Sequence, residues 1–128
     1  MSEYPNNLRY SRTHEWFDPE TNRMGISSFA VGHLGDVVEV DLSVDEGDVV
    51  DAGDEVGTIE SVKTASPIYA PISGKIVAFN EDLADAPELV NDAPYTDGWI
   101  LEIEPTGADD TSDLLDATLY SDHCASEE

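Results

Sequence analysis

Turn-forming clusters interrupt this chain at short spacing, and they limit what it can fold into. Asp45-Glu46-Gly47-Asp48 and Ala52-Gly53-Asp54 bracket the pair Val49-Val50. Further on, Pro67, Pro71 and Gly74 force the chain to turn repeatedly. Between these lie short apolar runs, Val56 to Val62 and Ile68 to Ile72. Runs this short, bounded by turn residues, read as strands, so a compact all-β unit is expected.

The flanking segments fit the same plan. Leu8 to Tyr10 starts a strand, Asp18-Pro19-Glu20-Thr21-Asn22 is a turn, and Arg23 to Ser28 returns as the second arm of a hairpin. Phe29 to Leu34 suits a short helix, with Phe29 and His33 on one face. Gly35 suits its end, because glycine accepts positive φ. Val37 to Leu42 alternates, with Val38, Val40 and Leu42 expected inward and Glu39 and Asp41 outward. Lys75 to Phe79 is a further strand, and Glu81 to Asn91 a loop with room for a helical turn. In the last strand Trp99, Leu101 and Ile103 alternate with Ile100, Glu102 and Glu104, and Pro105 begins a connector. Ser112 is expected to cap a helix carrying Leu114 and Leu115, and Asp116 a second carrying Leu119 and Tyr120. Residues 1–7 read as a loose terminus and 106–128 as a helical extension of a single domain spanning 1–128.

Charge narrows the function classes. The chain has 29 acidic residues against 5 lysines and arginines, a formal charge of -24. That repels phosphate backbones and anionic membranes, so neither nucleic acid nor membrane is an expected partner. Self-repulsion of this size strains a compact fold at low salt, and salt relieves it. A halophilic archaeal host is the expectation, against the plainer reading of an ordinary acidic carrier. No apolar stretch approaches a membrane span and no signal-peptide core is visible, so a cytoplasmic location is expected. Cys124 is alone, and no cysteine or histidine spacing resembles a zinc site.

One residue stands out against the acids. Lys63 is one of two lysines and lies between the two central apolar runs, at an expected hairpin tip. There its amine would be available for covalent modification. A solubilising lysine at a turn satisfies the same spacing.

A resemblance gives the modification reading its weight. Glu60-Ser61-Val62-Lys63, followed by Tyr69-Ala70-Pro71-Ile72-Ser73-Gly74, resembles the lipoyl-attachment segment of the glycine cleavage system H proteins. His14-Glu15-Trp16, Leu34-Gly35-Asp36-Val37-Val38, Leu89-Val90-Asn91, Pro94-Tyr95 and Gly98-Trp99 fit the same family in the same order. The likeness runs from about Arg9 to about Cys124. Biotin carriers typically have methionine on both sides of the modified lysine, where this chain has Val62 and Thr64. Lipoyl domains of 2-oxoacid dehydrogenases typically have aspartate just before it. Thr64, where many H proteins have alanine, is a mild departure, and Ala65 and Ser66 keep the flank small.

The resemblance implies a mainly β fold, a flattened barrel-sandwich hybrid of the lipoyl-domain type with short helices. It implies lipoate on Lys63, with Glu60, Ser61, Val62, Thr64 and Ala65 as the flanks read by a lipoate-attaching enzyme. It also implies a carrier and not an enzyme. The arm would accept the aminomethyl group from the pyridoxal-phosphate glycine decarboxylase (P protein) and deliver it to the aminomethyltransferase (T protein). Dihydrolipoyl dehydrogenase (L protein) would reoxidise it. A cationic amine exposed to water needs shelter, and Glu15 and His33 are the candidate cleft residues, Glu15 to accept hydrogen bonds and His33 to position the arm. The alternatives are a lipoyl carrier or lipoate relay for another complex, and an unmodified acidic binding module.

Overall fold

The computed structural model describes residues 4–105 and 114–127. Among the described residues nine strands form two antiparallel sheets. The larger has the order β1 (Arg9–Tyr10), β2 (Glu15–Phe17), β3 (Arg23–Ile26), β9 (Leu101–Pro105), β8 (Gly74–Phe79), β5 (Val49–Val50). The smaller has the order β4 (Val37–Leu42), β6 (Glu55–Ser61), β7 (Ala65–Tyr69). Short helices interrupt them: α1 (Ser28–Leu34), α2 (Asp82–Asp85), α3 (Leu89–Asp92) and α4 (Ala117–Glu127). The expected mainly β barrel-sandwich is therefore the observed fold.

One aliphatic core joins the sheets. Met24, Ile26, Leu101, Ile103 and Ile76 from the larger sheet pack with Val56, Ile59 and Ile68 from the smaller. Burying such side chains contributes about 1.5–3 kcal/mol each. A second cluster is aromatic: Tyr4, Tyr10, Trp16 and Tyr120 pack together with Leu115 and Cys124. Tyr10 and Tyr120 stack at 4.5 Å, and Tyr4 meets both rings edge-on. This cluster seats α4 on the larger sheet.

Several expectations change here. Tyr4 is 6% exposed, so the terminus is anchored from that residue by its ring. Val38 is 53% exposed because a register shift between Val37 and Glu39 turns it outward, and Val37 takes the core place. Trp99 precedes β9, and Ile100, expected on the opposite face from Leu101, is buried as well. Pro105 ends β9. Leu115 is not helical; it pairs as an isolated bridge with Tyr10, while Ser112 lies outside the described residues. Asp116 does cap α4, its carboxylate accepting from the Leu119 N–H at 2.8 Å.

Candidate functional site

Strands β6 and β7 form the hairpin that carries Lys63. Ser61 shapes its tip: its hydroxyl accepts from the backbone N–H of Lys63 and of Thr64, both at 3.2 Å, and donates to the Thr64 carbonyl. Val62 is 67% exposed, Lys63, Thr64 and Ala65 are exposed, and Glu60 faces the outer side of the sheet opposite Glu39. The tip is thus a short, hydrogen-bonded turn with Lys63 exposed on it.

The tip is also tied down. The Val62 N–H donates to the Asp36 carbonyl at 3.0 Å. Asn91, from α3, holds the other side of that loop: its amide donates to the Gly35 carbonyl and its oxygen accepts from the Val37 N–H, both at 2.8 Å. Gly35 ends α1 with φ 78°, and the Lys63 stem lies over it, with Cε only 3.3 Å from where a β-carbon would stand. The glycine expected at the helix end for its backbone also clears space for the lysine.

Beside this hairpin lies a half-open cleft of about 350 Å³. Its walls are the β2 segment (Thr13, His14, Glu15), α1 (Phe29, Ala30, His33, Leu34) and the hairpin's own strands (Ile59, Ser66, Pro67). Glu15 and His33, 18 positions apart in the chain, therefore meet in one cavity, which the hairpin base of Lys63 helps to line. Apolar wall and convergent polar groups are what a carried small group needs.

Glu15 is 1% exposed. Its Oε1 accepts from the Ser11 hydroxyl at 2.7 Å and from the Thr13 hydroxyl, and its Oε2 accepts from the Tyr69 N–H at 3.2 Å. Burial pushes its carboxyl up to about 7, outweighing those donors, which pull the other way. His33 is exposed at the rim, where its Nδ1–H donates to the Phe29 carbonyl at 2.9 Å and its ring lies 4.4 Å from that of Phe29.

Sequence reading missed several partners. Ser11, Thr13 and Tyr69 complete the Glu15 site, Asn91 fixes the lysine's bed, and His14 joins the cleft wall. His14 and Asn91 stood in family-like stretches, which was the available signal. Nothing in their spacing assigned them a role.

A two-sheet barrel-sandwich with an exposed lysine on a hairpin tip is a carrier domain of the lipoyl type. The comparisons agree and go further. The family model for the glycine cleavage H-protein matches residues 8–127. A probable glycine cleavage system H protein from Halobacterium salinarum is 52% identical over 118 residues, covering 92% of this chain and 90% of that protein. The H protein of Pseudoalteromonas atlantica is 53% identical over 123 residues, covering 94% and 95%. The crystal structure of an H protein from Mycobacterium marinum superimposes with a TM-score of 0.85 at 37% identity, over 95% of this chain and 99% of that one. The chain belongs to the glycine cleavage H-protein family, the non-catalytic lipoyl carriers of the glycine cleavage system. Among the described residues no helix is long and apolar enough to cross a membrane.

Proposed function

We propose that Lys63 is the lipoyl-bearing residue and that the cleft between β2, α1 and β7 is where the loaded arm rests. The observation that carries this reading is the shared hairpin: the strands that present Lys63 also line the cavity holding Glu15 and His33. The residues fit the group. The lysine is exposed, its stem has a side-chain-free bed at Gly35, and the cleft offers an apolar wall of Ile26, Phe29, Leu34 and Ile59.

When bound, lipoate supplies a disulfide that accepts an aminomethyl group. The chain's own residues do the rest. Ser61 and the Asp36 carbonyl stiffen the tip, so the amine is presented to a lipoate-attaching enzyme in one geometry. Glu15, ionised, accepts hydrogen bonds from a cationic amine brought into the cleft. Because its carboxyl sits near neutrality, arrival of that amine favours release of its proton. His33 at the rim orients the arm as it enters, and Phe29 and Ile59 exclude water from beside it.

The partners implied are the glycine decarboxylase, the aminomethyltransferase and dihydrolipoyl dehydrogenase, served in the cytoplasm. Intact mass and peptide mapping of protein from its native host test the attachment: one lipoyl group on Lys63 is expected. Unmodified Lys63 in cells that make lipoate would sink the proposal. Methylamine loading by the decarboxylase then tests the system served.

A further inference from the structure

The hydroxyl of Tyr120 sits between two walls of the cleft. It lies 2.7 Å from His14 Nδ1 and 2.5 Å from the Ser27 hydroxyl. His14 lines the cleft directly. Ser27 caps α1, its oxygen accepting from the Ala30 N–H at 3.3 Å, and α1 carries Phe29 and His33 into the same cavity. One phenol on the C-terminal helix thus touches both the residue before Glu15 and the start of the opposite wall.

His14 needs holding. Its backbone has φ 76°, a region that favours glycine. Its ring stacks on Phe29 at 4.7 Å and on His123 at 5.6 Å, and His123 Nε2–H donates to the Arg12 carbonyl at 3.0 Å. Phe29 in turn meets His33. All three histidines of the chain therefore belong to one ring column that runs from the cleft rim to α4. Burial pushes the Tyr120 hydroxyl far above the ordinary phenol range, so it keeps its proton and has one hydrogen bond to donate. Cys124 also bonds this hydroxyl, and whether the proton points to His14 or away from it, to Ser27 or Cys124, decides whether His14 Nδ1 accepts or donates there.

We infer that Tyr120 is a positioning residue for the cleft: through His14 and Ser27 it fixes the imidazole tautomer and the spacing of the β2 and α1 walls that shelter the loaded arm. This makes α4 part of the carrier's working site, although none of its residues lines the cavity. The inference rests on the reading of the cleft given above.

The test uses the full chain in four forms: wild type, Tyr120→Phe, Leu115→Ala and Glu15→Gln. Tyr120→Phe keeps the ring stack with Tyr10 and removes only the hydroxyl. Leu115→Ala weakens the same aromatic cluster at a residue that is not part of the cleft lining. Imidazole nitrogen NMR on the unmodified protein reads the tautomer, and the half-life of the methylamine-loaded protein reads the shelter. Wild-type His14 is expected to show two well-separated nitrogen shifts. In Tyr120→Phe these should move together and the half-life should fall by about fivefold, the factor equal to one hydrogen bond of ordinary net strength. Leu115→Ala should lower Tm and change neither readout.

Unchanged shifts, or an unchanged half-life, in Tyr120→Phe overturn the inference. An equal loss of half-life in Leu115→Ala does so too, by reducing Tyr120 to a structural role. If Glu15→Gln still shortens the half-life in those cases, the cleft reading stands. If Glu15→Gln has no effect either, the cleft reading falls and the role of Tyr120 falls with it.

Discussion

Two glutamates, Glu15 from the larger sheet and Glu39 from the smaller, have carboxyls raised above the ordinary range, for different reasons. On the cleft side Glu15 reaches across to β7, buried and held by Ser11, Thr13 and the Tyr69 N–H. Its carboxyl is high because burial disfavours charge. On the outer side Glu39 stands exposed, directly opposite Glu60 in the β4–β6 ladder. Its carboxyl is raised by a shared hydrogen bond with Glu60 and then by that neighbour's charge. On the function proposed above, the first is the carboxylate that would receive a cation. The second is the local form of a whole-chain problem, acids crowded against acids. Lys63 hangs from the hairpin between them.

Removing the arm breaks the contrast most completely. Lys63→Arg keeps the charge and the exposed tip but offers no amine for amide formation. Lipoylation and methylamine loading should vanish by intact mass. Stability should stay within about 0.5 kcal/mol, as for most surface substitutions. Residual lipoyl mass on another residue would move the attachment site elsewhere.

Glu15→Gln isolates the cleft side. Its carboxyl rises from 4.5 in the unfolded chain to about 7 in the fold, so the folded state binds more protons in between. Its contribution is fully present below pH 4.5 and is lost as pH rises through about 7. The loss integrates to about 3 kcal/mol at roughly 1.4 kcal/mol per pH unit. Glutamine imitates the protonated form, since its oxygen can accept from Tyr69 while its amide donates to the Ser11 hydroxyl. Denaturant titrations should therefore find Glu15→Gln equal to wild type at pH 4.5 and more stable at pH 8. A constant difference between the two proteins across that window would show that Glu15 is not held as described.

Gly35 tests the bed that both sides share. A methyl there meets a backbone at φ 78° and a Lys63 carbon at 3.3 Å. Gly35→Ala should cost about 1–3 kcal/mol in backbone strain and slow lipoylation in a timed modification assay. Normal lipoylation by a destabilised protein would mean that the lysine's bed is dispensable.

How much of this was legible in the sequence follows from how local each feature is. Turn clusters and alternating runs located the strands, because a period of two and a glycine at positive φ are properties of neighbouring residues. Gly47 and Gly53 do have φ of 94° and 92°. Val38 was misread because one shifted register position reverses a side chain, and alternation alone does not reveal a bulge. The fate of Leu115 was set by Tyr10, far away in the chain, so its local helix pattern lost to a long-range bridge. Lys63 stood out as a scarce lysine at an expected hairpin tip, and family resemblance then gave it, Glu15 and His33 their roles. The Tyr69 N–H on Glu15 and the Asn91 clasp on Gly35 span more than 50 positions, and no local pattern encodes them.

The outer face should show the smallest effect and the clearest dependence on solvent. Glu39→Gln removes one charge from the Glu39–Glu60 pair, to which Asp41 also adds repulsion. Because Glu39 holds its proton more tightly in the fold, its repulsion grows as pH rises, so the substitution should stabilise the protein most above the carboxylate range. Screening must then decide the size of the gain. At about 0.1 M salt charges interact over about 10 Å, but at about 1 M only over about 3 Å. The Tm gain of Glu39→Gln should thus be measurable at low salt and shrink toward zero as salt rises, while the Glu15→Gln difference, set by burial, should persist. Wild type itself, at a formal charge of -24, should lose compactness on dilution into low salt. If both glutamine variants respond to salt alike, repulsion and burial have not been separated, and the contrast between the two faces is wrong.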